Sequence, residues 1–239
     1  MTTAAIHGFV RRLAAAETGP ACNNFFADTV PANAVRRRNL ELYLQALLDR
    51  RPPVLLLGEA PGFRGMRLTG VPFTNRSMFT GAPNHFGLFG KDQGYELPPE
   101  AVGVAAEPTA TVMWEVLAEL DFLPLLWSAC PWHTHKPGQP QSNRTPSAAE
   151  AAAGIPFRED LVALFGISTV VAVGNIAHRS LLRSGVHAPK IRHPAHGGRA
   201  EFKRGLEELF DAGMPREPAA PGPTGLGWGK RPPRTKGTP

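Results

Sequence analysis

Apolar residues recur at helical spacing along several stretches of the chain and run without interruption in a few short ones. Ile6, Phe9, Val10 and Leu13 share one helical face, as do Leu40, Leu44, Leu47 and Leu48. Val112, Met113, Val116, Leu117 and Leu120 repeat the pattern. This spacing predicts helices near residues 3–17, 33–50, 109–121, 148–165, 175–184 and 199–212. Ser147 followed by Glu150 is a capping-box pattern at the start of the fourth, and Pro156 is expected to interrupt or restart that helix. Gly166, Gly185 and Gly213 stand where helices should end. The uninterrupted apolar runs predict strands at 54–57, 123–128, 168–173 and 188–192.

Strands that alternate with helices imply an α/β fold. The expected architecture is a three-layer sandwich, with a central four-stranded, mostly parallel sheet flanked by helices. Residues 62–106 are rich in Gly, Phe and Pro and show little periodicity. A loop region that long inside a compact domain is usually functional.

Composition changes the picture mainly at the C-terminal end. The formal net charge is +6, but residues 215–239 carry five basic residues and one acid, so the body carries only +2. Those 25 residues also hold seven prolines and five glycines, which cannot bury a core. The expected organisation is therefore a domain over 1–214 and a disordered basic tail over 215–239. The tail either touches nucleic acid electrostatically or merely solubilises the chain. Two cysteines, Cys22 and Cys130, cannot by themselves complete a four-cysteine zinc or iron–sulfur site, and reduced thiols are the expectation. No apolar stretch reaches membrane-span length, and the N-terminus has no apolar leader, which points to a cytoplasmic protein.

Three turns follow predicted strands. They are "GEAPGFRGMRLTGVPF" after 54–57, "SACPWHTHKPGQPQSNRTPS" after 123–128, and "RHPAHGG" after 188–192. A parallel sheet gathers all three at its carboxyl end, where ligands of open α/β sheets bind. The first turn has neither a Gly-Lys-Ser/Thr ending nor G-x-G-x-x-G spacing, so phosphate-loop and dinucleotide readings fail. Together the turns supply Glu59, Phe73, His133, His135, His193, His196 and glycine-rich backbone. Such a set suits a flat polar heterocycle: an aromatic face for stacking, backbone N–H groups for a carbonyl, an imidazole for developing charge.

In this order the three segments resemble the signatures of the uracil-DNA glycosylase superfamily, over roughly residues 50–210. "GEAPG" is similar to the opening of the iron–sulfur thermophilic-type class, and Gly62 through Met78 resembles the single-strand-selective monofunctional class. "SACPW…SNRTPS" and "HPAHGG" resemble the second and third signatures. The resemblance implies a monofunctional DNA glycosylase, acting as a monomer without metal or cofactor on single- or double-stranded DNA. It would remove uracil or a related base, in base excision repair.

The resemblance also implies site roles. Glu59 and His193 would be catalytic, His193 and the backbone near Ala60 facing O2 of the base, and Glu59 either orienting water or tying down the turn. Gly58, Ala60, Pro61, Gly62, Phe73, Asn75, Ser128 and His133 would hold the base, with Phe73 stacking on it. Ser142, Asn143, Arg144, Thr145, His196, Gly197, Gly198 and Arg199 would contact DNA. Two positions depart from the family pattern. Ala60 stands where the single-strand-selective class has a water-positioning Asn, and Ser128 where members usually read uracil with Asn. Those departures leave three alternatives open: a shifted base such as hypoxanthine, a DNA- or abasic-site-binding protein without catalysis, and a small-molecule hydrolase unrelated to DNA.

Overall fold

The computed structural model describes residues 3–81, 85–103 and 107–217. In chain order the elements are α1 (Thr3–Ala15), β1 (Cys22–Asn23), α2 (Ala34–Leu48), β2 (Val54–Gly58), α3 (Met66–Thr69) and α4 (Arg76–Thr80). There follow α5 (Pro108–Glu119), β3 (Leu125–Ser128), β4 (His133–Thr134), α6 (Ala148–Ala153), α7 (Ile155–Phe165), β5 (Thr169–Val173), α8 (Asn175–Arg183), β6 (Lys190–Ile191) and α9 (Arg199–Asp211).

Four strands form one sheet in the order β3-β2-β5-β6, and every pairing in it is parallel. With helices on both faces, this is the three-layer α/β sandwich that the alternation of strands and helices predicts. Central β2 is buried at every residue, as expected of a strand covered on both faces. Its register pairs Gly58 with Ser128, so two of the functional turns begin side by side. The main chain stays zipped beyond the strands: the N–H groups of Ala129 and Cys130 donate to the carbonyls of Gly58 and Glu59 at 2.9 and 3.0 Å.

The predicted helix over 148–165 is two helices. The Ser147–Glu150 capping box is formed, α6 ends at Gly154, and Pro156 sits in the first turn of α7. At Gly154 a Cβ would stand 1.9 Å from the carbonyl oxygen of Ala129, so the break lets this corner press against the second functional turn. Gly166, Gly185 and Gly213 all take positive φ at helix ends. The strand expected at 188–192 shortens to two residues, and the one at 123–128 starts at Leu125. Residues 62–106 contain two short helices, α3 and α4, within the expected loop. A small antiparallel pair, β1 with β4, matches Cys22 to Thr134 and Asn23 to His133. Both cysteines are buried and free. From residue 218 onward the expected tail lies outside the described residues.

Candidate functional site

The first turn leaves β2 at Gly58 and crosses under Phe73. A Cβ on Gly58 would lie 2.4 Å from Cζ of Phe73, so only glycine lets the ring rest there. Phe73 itself holds a left-handed backbone (φ 51°), unusual for a bulky residue. Its carbonyl accepts a hydrogen bond from the indole Nε1 of buried Trp114 at 2.8 Å, which fixes the strained residue from the α5 side.

His193 follows β6. Its Nδ1 accepts the N–H of Ala195 at 3.2 Å, which in a neutral ring leaves the hydrogen on Nε2. Burial, with the charges of Arg192 and His196 adding to it, pulls the imidazole down to about 4, so the ring is neutral at physiological pH. The turn behind it is tight. A Cβ on Gly198 would stand 2.2 Å from the carbonyl oxygen of His193, while His196 (φ 53°) and Gly197 (φ 75°) both adopt left-handed backbone.

These pieces line one cavity of about 340 Å³, to which Glu59, Ala60, Pro61, Gly62, Phe73, Ser128, Asn143, Arg144, His193 and His196 contribute. All three sequence-predicted turns thus meet there. Two further residues line it that the motifs did not single out, Glu107 and Thr109 at the start of α5. Glu107 precedes a Pro-Thr pair and reads in sequence as a helix start; only its position in the fold shows that its side chain faces the cavity.

Asn143 is held in one orientation. Its Oδ1 accepts the N–H of Phe63 at 2.8 Å, which settles which end of the amide is oxygen. Nε2 of His133 lies 3.0 Å from the carbonyl oxygen of Ser142 and 3.3 Å from the same Oδ1; facing two acceptors, it must carry the ring hydrogen. Asn143 also lines the cavity, with the bonds from Phe63 and His133 both on its Oδ1. His133, expected to touch the base, is instead wholly buried behind Asn143 and positions it. Burial first of all drives the His133 imidazole down to about 4, and its buried Nδ1 has no partner among the described residues.

Other expected contacts have different work. Asn75 caps α4: its Oδ1 accepts from Ser77, and its Nδ2 donates to the Glu107 carbonyl at 2.9 Å and to Thr111 at 3.2 Å. Its side chain is buried away from the cavity. Arg144 forks onto Glu150 at 2.7 and 3.0 Å and also donates to the carbonyls of Ala21, His135 and Thr145. That bridge, chiefly the hydrogen bond from Arg144, holds the Glu150 carboxyl down to about 2. Ser142 closes its own loop, donating to Gln139 and accepting from Lys136. Thr145 is exposed beside it, with its carbonyl bound to Arg144. Arg199 pairs with Glu119 and, at 3.9 Å, with Glu115, both on α5.

A second hollow of about 440 Å³ adjoins the first and shares Glu59 and His193 with it. Arg179, Lys190 and Arg192 line it. Lys190 hydrogen-bonds Asn175, whereas Arg179 and Arg192 are exposed and make no ion pair among the described residues. Arg179 on α8 and Lys190 on β6 stand outside the three turns, whereas Arg192 opens the third. Among the described residues, no cluster of three His, Cys, Asp or Glu side chains is arranged to hold a metal ion, and no helix is long and apolar enough to cross a membrane.

Residues 46–213 match the sequence profile of the Uracil DNA glycosylase superfamily. The chain belongs to this superfamily. Members are DNA glycosylases, so DNA is the macromolecule on which the family acts. Comparison with curated proteins gives no match. Among solved structures, SMUG2 of Pedobacter heparinus superposes with a TM-score of 0.60 over 88% of this chain and 97% of that one. At 16% identity that likeness speaks for the fold alone. Membership in the glycosylase superfamily gives the cavity its frame of reference: three turns at the carboxyl end of a parallel sheet, converging on a space of about 340 Å³, large enough to admit a nucleobase.

Proposed function

We propose that the protein is a monofunctional DNA glycosylase that hydrolyses the bond between deoxyribose and uracil or a related damaged base, leaving an abasic site. The observation that carries this reading is the hydrogen bond from the Ala195 N–H to His193 Nδ1, which puts the hydrogen of a neutral imidazole on Nε2 in a residue that lines the cavity.

A base inside a duplex is out of reach, so the enzyme takes it flipped out or from a single strand. Its ring stacks on Phe73, a contact worth about 1–3 kcal/mol per base and tolerant of base identity. As the bond between C1′ and the base nitrogen breaks, the electron pair stays with the base, and negative charge grows on O2. The His193 Nε2–H donates to that oxygen. A neutral donor suits this task because its hydrogen bond strengthens as the charge develops. Water adds to C1′ on the other side, held by Glu59, which lines both hollows and takes the water's proton; the departed base anion is protonated from solvent. The amide N–H groups of Asn143 serve the oxygens of the bound base or the attacking water. The basic hollow at Arg179, Lys190 and Arg192 receives the DNA backbone, since phosphate contacts dominate affinity.

The test is incubation with single- and double-stranded oligonucleotides carrying one uracil, scored for free base and for alkali-labile abasic sites. Release of uracil with an intact strand before alkali supports the reading. Tight DNA binding without base release makes it a binding protein, and neither binding nor release removes DNA from its function.

A further inference from the structure

The two cysteines are far apart in sequence and meet in the fold. Cys22 stands on β1, paired in register with Thr134 of β4. Cys130 stands in the second turn, just beyond Ser128 at the cavity wall. Both are free thiols, and their side chains hydrogen-bond to each other. Each is also held by its main chain. The Cys22 N–H donates to the Gly19 carbonyl at 2.9 Å, and the Cys22 carbonyl accepts from Thr18 Oγ1 at 2.6 Å. The Cys130 N–H donates to the Glu59 carbonyl at 3.0 Å. Two sulfurs fixed in contact need little main-chain movement to become covalently joined.

Their surroundings distinguish the two thiols. Arg144 donates to the Ala21 carbonyl at 3.1 Å, so its guanidinium lies beside Cys22. The hydrogen bond from Cys130 first, and then the charge of Arg144, pull the Cys22 thiol below its ordinary range, against burial and the charge of Glu150. Cys130 is the donor, and its hydrogen faces the Cys22 sulfur and, at 3.5 Å, the Trp132 carbonyl. A thiol beside a cation, backed by a second thiol, is the arrangement of a reactive pair. Access comes from the Cys22 side, which keeps 4% of its surface exposed while Cys130 keeps none. The ribbon over it has two residues per strand, so it opens locally more readily than the central sheet.

We propose that Cys22 and Cys130 are a redox-responsive pair, which a peroxide converts to a disulfide that fastens the N-terminal segment to the second turn of the site. The Cys22 thiolate attacks one peroxide oxygen. An S–O bond forms, the O–O bond breaks, and the departing hydroxide leaves as water with the proton that Cys22 gave up. The Cys130 sulfur then attacks the sulfenic sulfur of Cys22 while its own proton passes to the leaving hydroxyl. The S–S bond forms, the S–O bond breaks, and a second water departs. The sulfurs together lose two electrons and the peroxide gains them; exchange with a reducing dithiol restores the pair. The bridge closes a long loop of the unfolded chain, so the oxidised protein resists unfolding more than the reduced one.

The experiment treats the full-length, reduced protein with a small molar excess of hydrogen peroxide under native conditions and quenches with catalase. Intact mass, non-reducing peptide maps and thermal melting are then followed. The expected product has lost two hydrogens, joins the Cys22 and Cys130 peptides within one chain, and melts higher by about 5–10 °C. A reducing dithiol reverses both changes. Cys22→Ser and Cys130→Ser show no such shift, and the comparison of reduced with oxidised wild type stands even where a variant folds poorly. Gain of oxygen without a cross-link, a link between two chains, no reaction of the native protein, or a bridge that leaves the melting temperature unchanged overturns the proposal.

Discussion

Phe73 and Gly58 are mutually dependent: the ring lies where a Cβ on the glycine would be, 2.4 Å from Cζ. The aromatic platform thus rests on backbone. Gly58→Ala must push the ring aside, because contacts that close are not tolerated. The far end of a side chain moves more cheaply than backbone, so the fold should survive. The expected outcome is a melting temperature within a few degrees of wild type, with base release reduced about 10-fold or more as the 1–3 kcal/mol stacking contact is lost. Thermal melts and single-turnover cleavage on the same preparation check it; unchanged cleavage would show that Phe73 is not the stacking surface.

Acid should weaken the fold through its histidines. His133 and His193 both sit at about 4, below the 6.5 of a free imidazole. Between those values the unfolded chain binds protons that the native chain refuses, so stability falls with falling pH. Their contribution is present in full above pH 6.5 and is lost progressively down to about pH 4. The measurement is imidazole titration by NMR alongside chemical denaturation at several pH values. Two rings that stay neutral to about pH 4 are expected, and titration of both near 6.5 would contradict the burial described.

Arg144 should matter to folding more than to DNA. It ties together Ala21, His135, Thr145 and Glu150. Removing it leaves the carbonyls of His135 and Thr145 without their donor and the Glu150 carboxylate with only the Ser147 N–H, at a cost of about 1.5–3 kcal/mol for bonds to charged groups. Arg144→Ala is expected to shift the urea midpoint accordingly while leaving the salt dependence of DNA binding unchanged. A normal midpoint with a shallower salt slope would return Arg144 to the phosphate-binding role that its motif suggests.

Arg179 and Arg192 should behave in the opposite way. Exposed and outside any ion pair among the described residues, they are placed to meet phosphates at the hollow beside the cavity. Each phosphate contact contributes about 0.9 to the slope of log K against log salt on duplex DNA and about 0.7 on single strands. The double variant Arg179→Ala/Arg192→Ala should flatten that slope by between one and two and weaken binding at low salt. An unchanged slope would place the DNA path elsewhere.

How far the sequence discloses this molecule depends on whether a signal is local. β2 is legible because a strand buried on both faces is an unbroken apolar run that ends in Gly58. The capping box at Ser147 and the stop at Gly166 are legible because backbone geometry demands those residue types. The pair β1–β4 is not, since two residues per strand carry no period. Site residues divide in the same way. Glu59, Phe73, Ser128 and His193 stand in short motifs, and all four line the cavity. His133 and Asn75 share those motifs, yet hydrogen bonds to residues distant in sequence commit them to holding Asn143 and Glu107 in place. Glu107 has no local signal because its neighbours in the cavity, Gly62 and Gly65, lie far away along the chain.

The central claim is that a neutral His193 stabilises the charge on the departing base, and single-turnover cleavage by His193→Ala tests it most directly. Wild type and variant are compared on a uracil-containing single strand, with DNA binding measured in parallel. The account predicts a fall in rate of about 10²–10³, the cost of removing one such donor, with nearly unchanged affinity. Cleavage by the variant at the wild-type rate would contradict it, leaving His193 a structural residue before Pro194 and the glycosylase mechanism without its donor.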